Sequence, residues 1–152
     1  MPDRDDAEAL AGARRDARQG KAPSTQAGEF VHEEIEHVRE GKHGARSTKQ
    51  AIAIGLSKAR RAGVKLRPPA KGKAPARTRR QAAKDVAKGR RGARKTSVRR
   101  SRASLRRLKR EPTSTVSSRA LSRHAKASAR KRGPAARKAA AQKAARTRAR
   151  RR

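Results

Sequence analysis

The chain has 152 residues, of which 46 are Lys or Arg and 12 are Asp or Glu, and its formal net charge is +34. Only 32% of the residues are apolar, Phe30 is the single aromatic residue, and Cys is absent. This composition excludes a disulfide scaffold and a thiolate metal site. Burial of so little apolar surface, at roughly 25 cal/mol per Å², does not offset about 1–2 kcal/mol of ordering entropy per residue. We therefore expect most of the chain to be disordered when free.

The charge is divided between two regions of the chain. Residues 1–40 hold ten of the 12 acidic residues and six Lys or Arg, a net charge of −4. Residues 41–152 hold 40 Lys or Arg and only two acidic residues, Asp85 and Glu111, a net charge of +38. A segment with this charge density repels itself, and it releases counterions when it lies along a polyanion. The charge pattern therefore predicts a nucleic acid as the partner.

Residues 1–28 form a predicted acidic N-terminal segment and linker. Residues 3–18 alternate Asp or Glu with Ala and Arg, which is typical of a short helix. Its one large apolar side chain is Leu10, and the segment has nothing to pack with locally. The stretch from Gly20 to Gly28 contains Pro, Ser and Thr and has the composition of a linker.

A helical hairpin is predicted over residues 29–66. Val31, Ile35 and Val38 recur at i, i+4 and i+7, and Gly41 follows as a helix stop. This spacing predicts an amphipathic helix of about three turns. Its acidic residues either form a solvated face or fold against the cationic tail and compete with nucleic acid for it.

The second helix of the hairpin begins with a capping signal and ends at a glycine. Ser47 and Gln50 have the capping-box spacing, and Gly63 is the expected left-handed stop, after which Val64 folds back on the last turn. One face of this helix carries Ile52, Leu56 and Ala59. Two short helices make a small core, and a homodimer through the hairpin, or a ligand, would complete it.

Residues 67–152 form a low-complexity tail of Lys, Arg, Ala, Ser, Pro and Gly. Four stretches are candidates for helix once their charges are neutralised: 78–88, 101–110, 113–132 and 135–146. In free solution, repulsion between like charges is expected to keep them frayed. The predicted fold class is all-α, with one short helical hairpin and a long, largely disordered cationic tail.

The candidate nucleic-acid-binding residues are the paired and clustered cations of the second helix and the tail. Arg outnumbers Lys 31 to 15, and guanidinium groups suit bidentate phosphate contacts. Because phosphate contacts carry no sequence information, binding is expected to be non-specific. The candidates are Lys49, Arg60, Arg61, Lys71, Lys73, Arg79, Arg80, Arg90, Arg91, Arg99, Arg100, Arg106, Arg107, Arg130, Lys131, Arg132, Arg150, Arg151 and Arg152.

The second helix also carries a row that could read bases. Gln50, Ile54, Ser57 and Arg61 line up opposite the apolar face, and such a row is able to enter a major groove. The favoured interpretation is a partly exposed Ile54 in a dimer contact, because two helices fall short of a complete helix-turn-helix unit.

Residues 32–37 superficially resemble a zinc-protease helix. That motif needs two His four residues apart on one face, whereas His32 and His37 are five apart, about 140° around the helix axis. We interpret them as solvated polar residues. With no Cys and no plausible catalytic triad, the sequence predicts no enzyme, no metal site, no cofactor and no small-molecule substrate.

The run Gly41-Lys42-His43-Gly44, followed by Ser47 to Gly63 with the pattern K-Q-A-I-A-I-x-L-S-x-A-R-x-A-G, resembles a family of small, basic bacterial proteins. That family carries an uncharacterised helical domain, and its members are commonly labelled as DNA-binding. The resemblance covers about residues 30–64 and implies DNA binding. Separately, residues 67–75 are similar in style to linker-histone tails.

The predicted function is non-specific binding and compaction of double-stranded DNA by the histone-like tail. One alternative is association with structured RNA or the ribosome, and another is a protein-interaction hairpin that the tail tethers to nucleic acid. Membrane binding is not expected, because the apolar residues of the tail are mostly Ala. The expected location is cytoplasmic and associated with the nucleoid.

Overall fold

The computed structural model describes residues 4–92 and 97–150. Within these residues the secondary structure is helical and no strand occurs, so the predicted all-α class is confirmed. The chain forms two compact units, Met1–Val116 and Ser117–Arg152. In chain order the elements are α1 (Arg4–Arg18), α2 (Pro23–Arg39), α3 (Thr48–Arg61), α4 (Ala76–Arg90), α5 (Val98–Leu108), a 3₁₀ turn (Ser114–Val116) and α6 (Ser118–Ala149).

Helices α2 and α3 pack as the predicted hairpin, but around a different face of α3. Ala51, Gly55 and Ala59 are buried at i, i+4 and i+8, whereas Ile52 and Leu56 are half-buried. Gly55 explains why this face of α3 meets α2, because a Cβ on residue 55 would lie 2.7 Å from the Cα of Val31. The two backbones therefore approach each other through the small residues.

Helix α1 has no packing partner within its own segment, and it packs against α2. The residues expected to form a linker are partly helical as well, because α2 begins at Pro23. Proline suits that first helical position, where its missing N–H is not needed. The resulting core cluster contains Ala9, Ala13, Ala27, Phe30, Ala59 and Val64, with Leu10, Leu56 and Leu66 packed against it.

The predicted boundaries of α3 are confirmed by its hydrogen bonds. The Ser47 Oγ accepts from the backbone N–H of Gln50 at 3.2 Å. At the other end Gly63 has φ 95°, and the buried Val64 donates its N–H to the carbonyl of Ala59 at 3.1 Å. This pattern is a Schellman motif, which satisfies the last carbonyls of the helix.

We expect Gly63→Ala to destabilise the first unit by about 1–2 kcal/mol, because an L-residue at this positive φ brings Cβ against the backbone. The midpoint of urea unfolding, followed by circular dichroism, measures the loss. Lys65→Ala, an exposed position just past the motif, is the control and should leave the midpoint unchanged. Equal midpoints for the two variants would contradict the prediction.

Part of the predicted tail belongs to the first unit. Helix α4 packs on α3 and buries Ala82, and a Cβ on Gly89 would overlap the carbonyl oxygen of Arg60. The predicted boundary at residue 66 therefore does not coincide with the division at Val116.

The segment after α5 is also bonded into this unit. The N–H of Gly44 donates to the carbonyl of Leu108 at 2.9 Å, and the Thr48 hydroxyl donates to the carbonyl of Thr115 at 2.5 Å. Val116 is fully buried in a second cluster with Val38, Ala45 and Ala51. The expectation of a largely disordered tail is wrong for most of residues 67–152, because α4, α5 and α6 are helical. Helix α4 and the segment after α5 also complete faces that the two-helix core leaves open.

The second unit is the helix α6. The Ser117 Oγ caps it by accepting from the N–H of Ala120 at 3.3 Å. Gly133, with φ 73° and ψ 167°, interrupts the helical geometry just before Pro134, at the break predicted between the last two helical stretches. No residue of α6 is buried. Among the described residues, no helix combines the length and apolar character that a membrane crossing needs.

Candidate nucleic-acid interface

The five arginines of helix α5 lie on one side of the helix. At ~100° per residue, Arg99, Arg102 and Arg106 lie on one arc, and Arg100 and Arg107 lie on the arc beside it. Five guanidinium groups thus cover about half of the circumference, and we call this surface the α5 arginine face. The opposite half carries Val98, Ser101, Leu105 and Leu108. No residue of α5 is buried, so the face is open to a partner.

The α5 arginine face includes a residue that the sequence analysis did not select. Arg102 lies between Arg99 and Arg106 at helical spacing, and these three side chains line an open depression together with Leu105 and Lys109. In the sequence, Arg99, Arg102 and Arg106 recur at i, i+3 and i+7, which places them on one helix face. The predicted helix started at residue 101, so it did not include Arg99 and the recurrence was not recognised. The structure begins the helix at Val98, which brings all five arginines onto one element.

One selected residue, Arg60, lies inside the first unit. The residue is 8% exposed, and its Nη1 donates to the carbonyl of Leu56, one turn earlier on α3, at 3.5 Å. Burial lowers the pKa of the Arg60 guanidinium, and the charge of the buried Asp85 partly opposes that effect. Arg60 therefore contributes to the contact between α3 and α4 instead of facing a phosphate.

The other selected cations are mostly exposed. Arg79 is half-buried on α4, and Arg151 and Arg152 lie outside the described residues. The exposed residues of the first unit are Lys49, Arg61, Lys71, Lys73, Arg80, Arg90, Arg91, Arg99, Arg100, Arg106 and Arg107. Those of the second unit are Arg130, Lys131 and Arg132 on α6 and Arg150 just after it. The structure therefore gives each unit its own exposed cations.

The row on α3 that could read bases is occupied by contacts within the chain. The Gln50 Oε1 accepts from the N–H of Arg46 at 2.9 Å, and the Arg61 Nε donates to the carbonyl of Ser57 at 3.2 Å. Ile54 is half-buried. These contacts do not favour a major-groove reading surface on α3.

Several acidic residues of the first unit lie together on α1 and on α2 or its C-terminal cap. They line an open groove between the two helices, together with His32 and His37. We call it the acidic groove, and its carboxylates belong to Glu8, Glu29, Glu33, Glu36 and Glu40. The first unit thus carries an acidic groove as well as the α5 arginine face.

A buried cluster of Glu34, His37 and His43 was missed by the sequence analysis. Glu34 is 0% exposed and His37 is 5% exposed, so the interpretation of both as solvated residues is wrong, whereas His32 is exposed as expected. The ligand atoms of the three side chains all lie within 4.8 Å of one another. The available signal was the Glu-x-x-His spacing followed by a glycine reversal at Gly41.

Charged neighbours surround Glu34 inside the first unit. The Lys58 Nζ lies 3.1 Å from its Oε2 and 3.0 Å from the Oδ1 of Asp6. Burial by itself would lower the pKa of the Lys58 ammonium, but the two carboxylates together outweigh it and hold that pKa above its ordinary value. Lys58 is therefore shared between two carboxylates and links α3 to both α1 and α2.

Residues 24–71 match the sequence model of a family of unknown function, DUF6496. The match spans most of α2, all of α3 and the chain that follows α3 as far as residue 71, so it coincides with the helical hairpin. This agrees with the expected resemblance to an uncharacterised helical domain and bears on neither DNA binding nor a histone-like tail. No curated protein matches the chain, and no solved structure does either.

Proposed function

We propose that the protein binds double-stranded DNA without sequence preference and compacts it, as a component of the nucleoid. The observation that carries the proposal is the α5 arginine face, where five exposed guanidinium groups occupy one half of a helix that contains no acidic residue. A helix of this kind presents a row of charges that matches the closely spaced phosphates of a duplex. Guanidinium groups also contact phosphate oxygens bidentately.

The residue types available for contact support binding without base readout. The chain has no Asn, and Arg is its most frequent residue apart from Ala. Arg contacts to phosphates position a protein on a duplex but carry no sequence information. The chain lacks Trp and Tyr, which removes most stacking platforms for single-stranded nucleic acid. Duplex phosphates are therefore the favoured target.

The division of the chain supports compaction as the outcome of binding. The first unit carries the α5 arginine face, and α6 in the second unit has no acidic residue and exposes Arg130, Lys131 and Arg132. Two cationic units in one chain are able to contact separate stretches of DNA, which raises the effective concentration of each stretch for the other. The proposal assigns no catalytic step to the protein.

The salt dependence of duplex binding tests the proposal. If about ten cations contact phosphates, the logarithm of the binding constant should fall with the logarithm of salt concentration with a slope near −9, at about 0.9 per phosphate. Fluorescence anisotropy with a labelled duplex at several salt concentrations measures the slope. Duplexes of scrambled sequence should bind equally well.

The RNA alternative gives a different result in the same titration, whereas the protein-docking alternative needs a separate measurement. If structured RNA binds about tenfold more tightly than duplex DNA at every salt concentration, the preferred ligand is RNA and the proposal of DNA binding is wrong. A slope shallower than about −3, or a preference of about 100-fold for one duplex sequence, would overturn non-specific phosphate binding. A hairpin that docks a protein while the cations tether it to nucleic acid would give the same steep slope. Capture of a protein partner by the full-length protein after removal of nucleic acid would favour that function instead.

A further inference from the structure

We propose that Glu34, His37 and His43 bind a divalent transition-metal ion of the Zn²⁺ class. The three side chains offer two imidazole nitrogens and one carboxylate oxygen within 4.8 Å of one another. Glu34 and His37 are buried, and the His43 side chain is 10% exposed. Buried residues of these types that converge on one point are the ordinary ligands of Zn²⁺.

The chain brings the three ligands together by a helix end and a reversal. Glu34 and His37 are three residues apart and share a face of α2. Gly41, with φ 74°, ends that helix, and the N–H of Lys42 donates to the carbonyl of His37 at 3.0 Å. This Schellman motif turns the chain back on the last turn, so His43, the next residue, returns to the side of His37.

The segment after α5 holds the position of His43. The neighbouring Gly44 and Ala45 donate their N–H groups to the carbonyls of Leu108 and Pro112 at 2.9 and 3.1 Å. A Cβ on Gly44 would overlap the carbonyl oxygen of Glu111, so the close contact requires glycine there. The ligand loop is therefore fixed by a part of the chain that is distant in sequence, as a preorganised site requires.

Second contacts orient two of the ligands. The His43 Nδ1 lies 3.1 Å from the carbonyl of Gly44, and because a carbonyl only accepts, Nδ1 carries the proton. In the neutral ring this leaves the lone pair on Nε2, which lies 3.4 Å from the Glu34 Oε1. The other carboxylate oxygen of Glu34 faces Lys58. One oxygen thus faces His43 while the second is held by an ammonium group, an arrangement common around metal ligands.

The donor set and the surroundings indicate the class of cation. Two imidazoles and one carboxylate suit Zn²⁺ and its transition-metal neighbours, whereas Mg²⁺ and Ca²⁺ prefer oxygen ligands. Three protein ligands leave a fourth tetrahedral position for water. His37 also lines the acidic groove, whose carboxylates attract cations to the site from solvent.

The competing explanation is a structural ion-pair network without a metal. In that network a protonated His43 would balance Glu34, as Lys58 does on the other side. The two explanations differ in what Zn²⁺ does to the full-length protein. Binding to the folded state raises its melting temperature, whereas a complete network has no place for the ion.

The composition of the chain provides a direct readout, because it has only four His. Two of them, His37 and His43, are in the cluster, while His32 and His124 are outside it. We expect a titration of the full-length protein with ZnCl₂ to shift the imidazole NMR signals of His37 and His43 and to leave those of His32 and His124 in place. MgCl₂ at the same concentration should shift none of them. Spectra of His32→Gln and His124→Gln variants assign the signals without altering the cluster.

Matched variants decide between the cluster and the acidic groove. His43→Gln should weaken Zn²⁺ binding by at least about 100-fold in isothermal titration calorimetry and abolish the rise in melting temperature, since a ligand is lost. The control His32→Gln/His124→Gln should bind Zn²⁺ as the parent does. A Zn²⁺-induced shift of the His32 signal together with equal loss in the control would place the ion in the groove and overturn the proposal. Unchanged His37 and His43 signals in the parent would also overturn it, whether or not the His43 variant folds.

Discussion

Replacing Gly55 with leucine is expected to destabilise the first unit by about 3 kcal/mol, which is most of the stability that so small a core can provide. A Cβ at this position would lie 2.7 Å from the Cα of Val31 and 2.8 Å from the carbonyl oxygen of Phe30. Both are backbone atoms, so no change of side-chain rotamer relieves the overlap, and α2 and α3 must separate. Urea unfolding followed by circular dichroism measures the effect.

Gly28→Leu is the matched control for this experiment. Gly28 also lies within a helix, but nothing is within 4 Å of a Cβ built on it. Leucine is a better helix former than glycine, so this variant should be neutral or more stable by up to about 1 kcal/mol. If Gly55→Leu unfolded at the same urea concentration as the parent, the close contact of α2 and α3 would be refuted.

Removing three charges from the α5 arginine face is expected to have the largest effect on DNA binding. In Arg99→Gln/Arg102→Gln/Arg106→Gln, three phosphate contacts are lost, and the log–log salt slope should become shallower by about 3. Affinity for duplex at physiological salt should fall by at least about tenfold. Anisotropy titrations of the variant and the parent, with helicity monitored by circular dichroism, measure both quantities.

The control removes the same charge from another helix. Arg14, Arg15 and Arg18 are exposed on α1, whose partner helix carries most of the acidic groove. Their replacement by Gln should change the slope by less than about 1, because they are not expected to contact phosphates. If the α1 and α5 variants lost equal affinity, net charge alone would govern binding, and the α5 arginine face would have no special role.

Local signals in the sequence were sufficient for the end of α2 and for both ends of α3, but not for the start of α2, which lies at Pro23. The Ser47 cap, the glycines at residues 41 and 63, and the return of Val64 depend on hydrogen bonds within a few residues, and the structure has all of them. The tail stretches predicted over 78–88 and 101–110 were expected to be frayed in free solution, but they are helical as α4 and α5, and neither helix has a side-chain cap. Their ends moved by two to three residues, which was enough to change the composition of the α5 arginine face.

Packing through small residues was not visible in the sequence. The apolar period pointed to Ile52 and Leu56, yet the buried face of α3 is formed by Ala51, Gly55 and Ala59. Alanine carries little hydrophobic signal, although a stripe of small residues lets two backbones approach. The same property hid the contact of α1 with α2, in which Ala9 and Ala13 are buried.

The sequence by itself determined the helical class, the ends of α3 and the separation of acidic from basic charge, because caps, periodicity and composition act over short distances. Only the tertiary structure decided that the segment after α5 joins the first unit, that Arg60 is buried, and that Glu34 meets His37 and His43. The N–H of Gly44 donates to the carbonyl of Leu108, and every residue except proline has both of these backbone groups. No pattern of side chains in the sequence therefore predicts this pairing. Contacts between segments that are distant in sequence depend on how well their surfaces fit together, and those surfaces form only when the helices pack.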